Sequence, residues 1–143
     1  MLEIIIFFSF FYFFLISVIG FGIFFQKVMY GSIQNLYDQK IIFTGFYGLF
    51  LLSLISLFTS IFFSHNFVHN ALLHLVGILF FIIFKFTNKK ENIKIIFLIS
   101  IFTISALLIS KTHDDFSYYH LPFTQYLSEQ KIIFGVGNLS HGF

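Results

Sequence analysis

Two adjacent carboxylates, Asp114 and Asp115, are the residues of this 143-residue chain best suited to do chemistry. They sit in a stretch, residues 111–143, that also holds Glu129 and three of the six histidines, His113, His120 and His141. A carboxylate within hydrogen-bond reach of a hydroxyl takes up its proton as the oxygen attacks. Carboxylate oxygens also hold divalent cations, so a cation at Asp114 and Asp115 is the cofactor the residue types suggest. Successive residues of a helix diverge by about 100°, which gives the two acids separate roles. The plainer reading of the pair is helix capping and solvation at the end of an apolar span.

Three other histidines lie upstream. His65 and His69 have the i, i+4 spacing that brings two imidazoles to one metal ion, while His74, five residues further on, is turned away by about 140°. Polar packing at one end of an apolar helix is the simpler reading, although an ionisable side chain within a membrane is a functional candidate by default. His113 and His120 are about 10.5 Å apart along a helix, too far to share a small ion.

The elements that must position these residues are written in the composition. The chain is 58% hydrophobic and 23% aromatic, with 26 Phe, and only 10% charged, where globular domains carry about 25% charged residues. This excludes an ordinary soluble domain, a disordered tail and a nucleic-acid-binding module, and a net charge of +2 adds nothing toward nucleic acid. There is no Cys, hence no disulfide framework and no thiolate chemistry. The start, Met1-Leu2-Glu3, lacks the basic region of a secretory signal.

Ile4 to Phe25 carries no formal charge and forms a first span at 4–25. A polar loop, residues 26–40, follows. The 44 uncharged residues Ile41–Phe84 would make a helix of about 66 Å, twice a hydrocarbon core. They must therefore fold back, and Ser64-His65-Asn66 marks the break, giving spans near 41–63 and 68–86. Lys85, Lys89, Lys90 and Lys94 fill the next loop, read as a topology determinant and anionic-lipid contact. A fourth span covers 92–110, with Lys94 and Lys111 snorkelling at its ends. The expected fold is all-α: a polytopic membrane helical bundle of four spans over residues 1–110, with the lipid bilayer as partner and protein partners unassigned. The Phe clusters face lipid or pack helices. Gly20 and Gly22, and Gly45 and Gly48, permit close helix approach without GxxxG spacing.

The lysines orient the bundle. Lys27, Lys40 and the Lys85–Lys94 loop fall on one side, the cytoplasm. The N-terminus and residues 111–143 then lie outside. In that outer segment Phe116, Tyr119, His120, Phe123 and Leu127 share one helical face, predicting an amphipathic helix at the membrane surface. It begins near Asp114 or Asp115, and Pro122 kinks or restarts it. Gly135, Gly137 and Gly142 mark a tight loop, and an ending within that loop suggests a fragment of a longer protein.

The pattern His113-Asp114-Asp115-Phe116-x-Tyr118-Tyr119-His120-Leu121-Pro122, followed by Lys131 and Gly135-x-Gly137-Asn138-Leu139-x-His141-Gly142-Phe143, resembles the first extracytoplasmic loop of a family of large bacterial multi-spanning proteins. That family is similar to the membrane glycosyltransferases of the GT-C class. The resemblance covers about residues 112–143; the upstream spans match in hydropathy alone. It implies an inner-membrane enzyme that takes a sugar from a polyprenyl-phosphate-linked donor for cell-surface glycan assembly. Asp114 or Asp115 would hold the catalytic acid position, with His113, Tyr118, Tyr119, His120, Asn138 and His141 on the substrate. Two features depart from the class: the acidic loop follows four spans instead of one, and no Arg is present to grip phosphate bidentately. Two other classes fit the same sequence. A transporter or flippase component would line a path with His69, His74 and the acidic pair. A non-catalytic anchor or assembly subunit would use that pair only as a cap.

Overall fold

A computed structural model of the protein describes residues 2–30, 41–84, 89–109 and 115–133. Among these the chain is all-helical. The elements are α1 (Leu2–Tyr30), α2 (Ile41–Ser60), α3 (Phe67–Ile83), α4 (Lys89–Ile109), a π-helical turn (Phe116–His120) and α5 (Leu121–Glu129). The four expected apolar helices are all present. At 1.5 Å per residue α1 is about 43 Å long and α3 about 26 Å. Leu2–Tyr30 and Phe43–Ser60 are long and apolar enough to cross a membrane, while Phe67–Ile83 and Lys94–Ala106 are shorter apolar helices.

The helix ends follow from local chemistry. α2 stops at Ser60, three residues before the expected end at 63, because the Phe62 and Phe63 amides both turn back to the Thr59 carbonyl. α3 starts after Asn66, whose side-chain oxygen accepts from the His69 amide at 2.9 Å. That bond satisfies one of the donors a helix start leaves open. The break expected at Ser64-His65-Asn66 is therefore real and is built by an N-cap.

α1 is the central helix, and its second half is the part that is buried: Ser17 through Ile23, and Gln26. Its contacts set the topology. Gly22 lies against Thr44 and Gly48 against Val18, so α2 runs antiparallel to α1. Ser17 meets His74, Gly20 meets Gly77, Phe24 stacks on Phe80 at 4.3 Å, and the Lys27 ammonium sits 4.0 Å from the Phe84 ring. That constant offset makes α3 parallel to α1. Gly20 and Gly77 let the backbones touch: a Cβ on Gly20 would collide with the Gly77 carbonyl. Gly20, Gly22 and Gly48 thus allow the close approach expected of them despite their spacing, Gly45 faces open space, and Gly77 completes the seam.

The small core is Val18, Phe21 and Leu52, with Leu51, Ile55, Leu73 and Phe80 against it. α4 leans on α2. Outward-facing side chains are large and apolar: Phe46, Leu57, Phe58, Phe97, Leu98 and Phe102 are each more than half exposed. α3 leaves the bundle at the Lys27 end, whereas α5 lies at the opposite end against the α2–α3 turn. The short segments flanking α4 are too few in residues to cross the bundle, so α4 carries the chain back.

Candidate functional site

The α2–α3 turn is the organising element of the far end. α2 ends with four carbonyls that have no partner within the helix. The Ser60 hydroxyl donates to Leu57 O at 2.7 Å, Ile61 N–H to Phe58 O at 3.3 Å, and the Phe62 and Phe63 amides to Thr59 O. The fourth carbonyl, that of Ser60, accepts from Ile132 N–H at 2.8 Å. The His65 amide in turn donates to Leu127 O at 2.7 Å. Two main-chain bonds therefore fasten the end of α5, and the strand-like residues after it, to the turn. Tyr126 holds that extension from its own side: its hydroxyl donates to Lys131 O at 3.3 Å and accepts from Ile133 N–H at 3.2 Å.

The histidine side chains are fixed by the same turn. His65 Nε2–H donates to Ser56 O at 3.0 Å. Asn70 Nδ2 donates to His65 O at 2.9 Å, which leaves Asn70 Oδ1 to accept from His69 Nδ1 at 3.3 Å. The two imidazoles stack with centroids 4.6 Å apart and planes 16° from parallel. Ring lone pairs lie in the ring planes, so parallel stacked rings do not converge on one ion. The i, i+4 spacing therefore builds a stack and no shared metal site. Among the described residues no group of three metal-ligating side chains occurs. Burial, and then the neighbouring His69, hold the His65 imidazole below the ordinary histidine range, against the Ser56 carbonyl, which favours the charged form.

His74 lies deeper, two turns into α3. Its Nδ1 is 3.0 Å from the Ser17 hydroxyl, which is fully buried. The hydroxyl and the imidazole share one hydrogen bond across the α1–α3 seam, which gives each buried polar group a partner. Phe13 and Phe14 meet the ring edge-on, at 6.0 and 5.3 Å between centroids. Beside this pair a half-open cavity of about 360 Å³ runs between α1 and α3, lined by Phe10, Phe13, Phe14, Phe67, Asn70, Ala71 and His74. Its walls are aromatic and its upper end, at Phe67 and Asn70, adjoins the turn that holds α5.

The residues singled out for chemistry are placed unevenly. Asp115 is exposed and immediately precedes the π-helical turn, and its side chain makes no capping bond to it. Tyr118, Tyr119 and His120 are exposed on the π turn. The expected helix does restart at Pro122, which occupies the first turn of α5, but its beginning is π rather than α. The cause is local. Pro122 has no N–H for the Tyr118 carbonyl and its ring would press on it. The turn widens, and Leu121 N–H reaches Phe116 O instead. Phe116, Tyr119 and His120 consequently leave the α-helical register they would have shared with Phe123 and Leu127. His113, Asp114, Asn138 and His141 lie outside the described residues.

Sequence reasoning missed Ser17, Asn66, Asn70 and the aromatic cavity. Asn66 before an apolar run carried an N-cap signal. Ser17, one of two serines within a long apolar helix, carried none.

The whole chain, residues 1–143, matches the family described as Domain of unknown function (DUF8201), and the protein belongs to that family. No curated protein and no solved structure matches it.

Proposed function

We propose that this member of the family is a multi-pass inner-membrane protein of the GT-C-like glycosyltransferase kind, moving a sugar from a polyprenyl-phosphate-linked donor to a cell-surface glycan on the extracytoplasmic side. The observation that carries the reading is the main-chain docking of α5 to the α2–α3 turn. It fastens the helix that carries Asp115 and the tyrosines to the turn beside Phe67 and Asn70 of the aromatic cavity, at the end of the bundle opposite Lys27. A lipid-linked sugar keeps its chain in hydrocarbon and its phosphate at headgroup depth, so its chemistry must occur where these features meet. The broad apolar exterior over a small core supports lipid contact on most sides. The exposed Phe116, Tyr119 and Phe123 suit a segment lying in the interface.

In this reading one of Asp114 and Asp115 takes the proton of the acceptor hydroxyl while that oxygen bonds to the anomeric carbon. The carbon–oxygen bond to phosphate breaks, and the phosphate leaves with the electron pair. His113 or Lys111 offsets its charge. The aromatic cavity accommodates part of the donor's chain. Of the other readings, transport is disfavoured at His74, whose Nδ1 is occupied by Ser17 within the α1–α3 seam.

The test is sugar transfer in membranes from cells expressing Asp114→Asn or Asp115→Asn. Loss of the base lowers turnover by about 10²–10⁴-fold in one of the two. Full transfer by both variants refutes the reading.

A further inference from the structure

We propose that the stacked pair His65–His69 is an acid-sensitive latch that keeps α5 docked to the α2–α3 turn at neutral pH and releases it on acidification. The inference is independent of the catalytic reading. It rests on four features of the turn.

The rings lie face to face, 4.6 Å between centroids. Neutral imidazoles stack favourably in this way, whereas two imidazolium rings repel at the same distance. Each ring is also tied to the backbone or to an amide that shapes the turn. His65 donates to Ser56 O, and His69 is held by Asn70, which itself grips His65 O. Separating the rings therefore disturbs the main chain at residue 65. That residue supplies one of the two main-chain bonds to the α5 segment, at Leu127 O, and the other, from Ile132 to Ser60 O, lies a few residues away across the same turn.

Among the described residues, the groups around the pair do not neutralise it. α2 presents the Ser56 carbonyl and the hydroxyls of Thr59 and Ser60, which already donate to the Ser56 and Leu57 carbonyls. α3 presents Asn66 and Asn70, which are uncharged. α5 and its extension bring Tyr126, Glu129 and Lys131. Glu129 is exposed and accepts from Gln125 at 3.2 Å, and Lys131 is exposed. The opposite charges of Glu129 and Lys131 offset each other along that segment.

The sign is determined by which state holds the proton more weakly. Burial and His69 hold His65 below its ordinary range when docked. A group whose pKa is lowered in the ordered state lends its stability above the unperturbed value, near 6.5, and withdraws it as pH falls below. Docking is complete above about pH 7 and weakens under mild acid. The segment set free carries Asp115, Tyr118, Tyr119 and His120, so extracytoplasmic acidity would reposition the groups proposed for catalysis.

Hydrogen–deuterium exchange on the full chain in nanodiscs tests this. Exchange of the peptide covering residues 127–133, normalised to an unstructured reference peptide at each pH, is compared at pH 7.5 and pH 5.0. The latch predicts at least a tenfold gain in normalised exchange on acidification. His69→Phe keeps a stacked ring without the second charge, and His65→Phe keeps the main-chain donor to Leu127 while removing its imidazole. Both variants retain docking at pH 7.5, and both lose most of the pH response. Normalised exchange that is flat with pH in the unaltered chain overturns the proposal. So does an undiminished acid response in both variants. Low exchange at pH 7.5 in at least one variant shows that it remains folded and docked; if both exchange freely at pH 7.5, the rings hold the turn by packing and the charge mechanism is rejected.

Discussion

Ser17 and His74 form the deepest polar contact between α1 and α3, and its value is measurable. Polar pairs between apolar helices average about 0.6 kcal/mol in double-mutant cycles. Ser17→Ala and His74→Leu, singly and together, should show a coupling of about 0.5–1.5 kcal/mol in reversible unfolding from mixed micelles, the double variant costing less than the sum. The glycines give a sharper contrast. Gly20→Ala drives a methyl into the Gly77 carbonyl, and backbone carbonyls within two packed helices do not give way. A loss of about 3 kcal/mol is expected, at the upper end for overpacking. Gly45→Ala meets nothing within 4 Å and should gain up to about 1 kcal/mol from helix propensity. The same unfolding measurement checks both.

At the scale of elements, the π turn before α5 is the feature with the most direct consequence. Pro122→Ala restores an N–H for the Tyr118 carbonyl and removes the ring that presses on it. Residues 116–129 should then close into one α-helix, turning Asp115 and the tyrosines by up to about 100° relative to α5. Nitroxide labels at positions 118 and 128 would report the rearrangement as a changed distance, with α5 docking intact. Four apolar helices, the break at residues 64–66 and the restart at Pro122 were legible because charge gaps, a polar cluster inside an apolar run and a proline are local signals. The arrangement of those helices was not. α1 and α2 are apolar on every side, so no periodic stripe marks an inner face. The seam is set by Gly20 meeting Gly77 and Ser17 meeting His74, partners 57 residues apart. His65 and His69 were legible as neighbours, but their spacing alone could not distinguish a stack from a chelate. The tie from His65 to Leu127 joins a turn to a helix that follows two further helices and the π turn, and it runs through backbone atoms that no side-chain pattern encodes.

For the whole molecule, the proposed membrane topology predicts which positions face the same aqueous compartment. The chain has no Cys, so single cysteines at Ser64 and Ser128 should react with an impermeant maleimide from outside intact spheroplasts. Asn35→Cys and Asn88→Cys, in the lysine-bearing segments, should react only after the membrane is opened. Labelling of Ser64→Cys and Ser128→Cys from opposite sides would contradict the docked α5. The parallel seam between α1 and α3 also bears on how the protein is made. α1 leaves the ribosome first, yet its buried partner is the third helix, which emerges more than forty residues later. Until then Ser17 lacks its imidazole partner and the Gly20 notch lacks the Gly77 backbone. Packing of α2 alone covers only the Gly22 and Val18 side. A chain stopped before His74 therefore leaves Ser17 and the Gly20 notch uncovered along one flank of the α1–α2 hairpin.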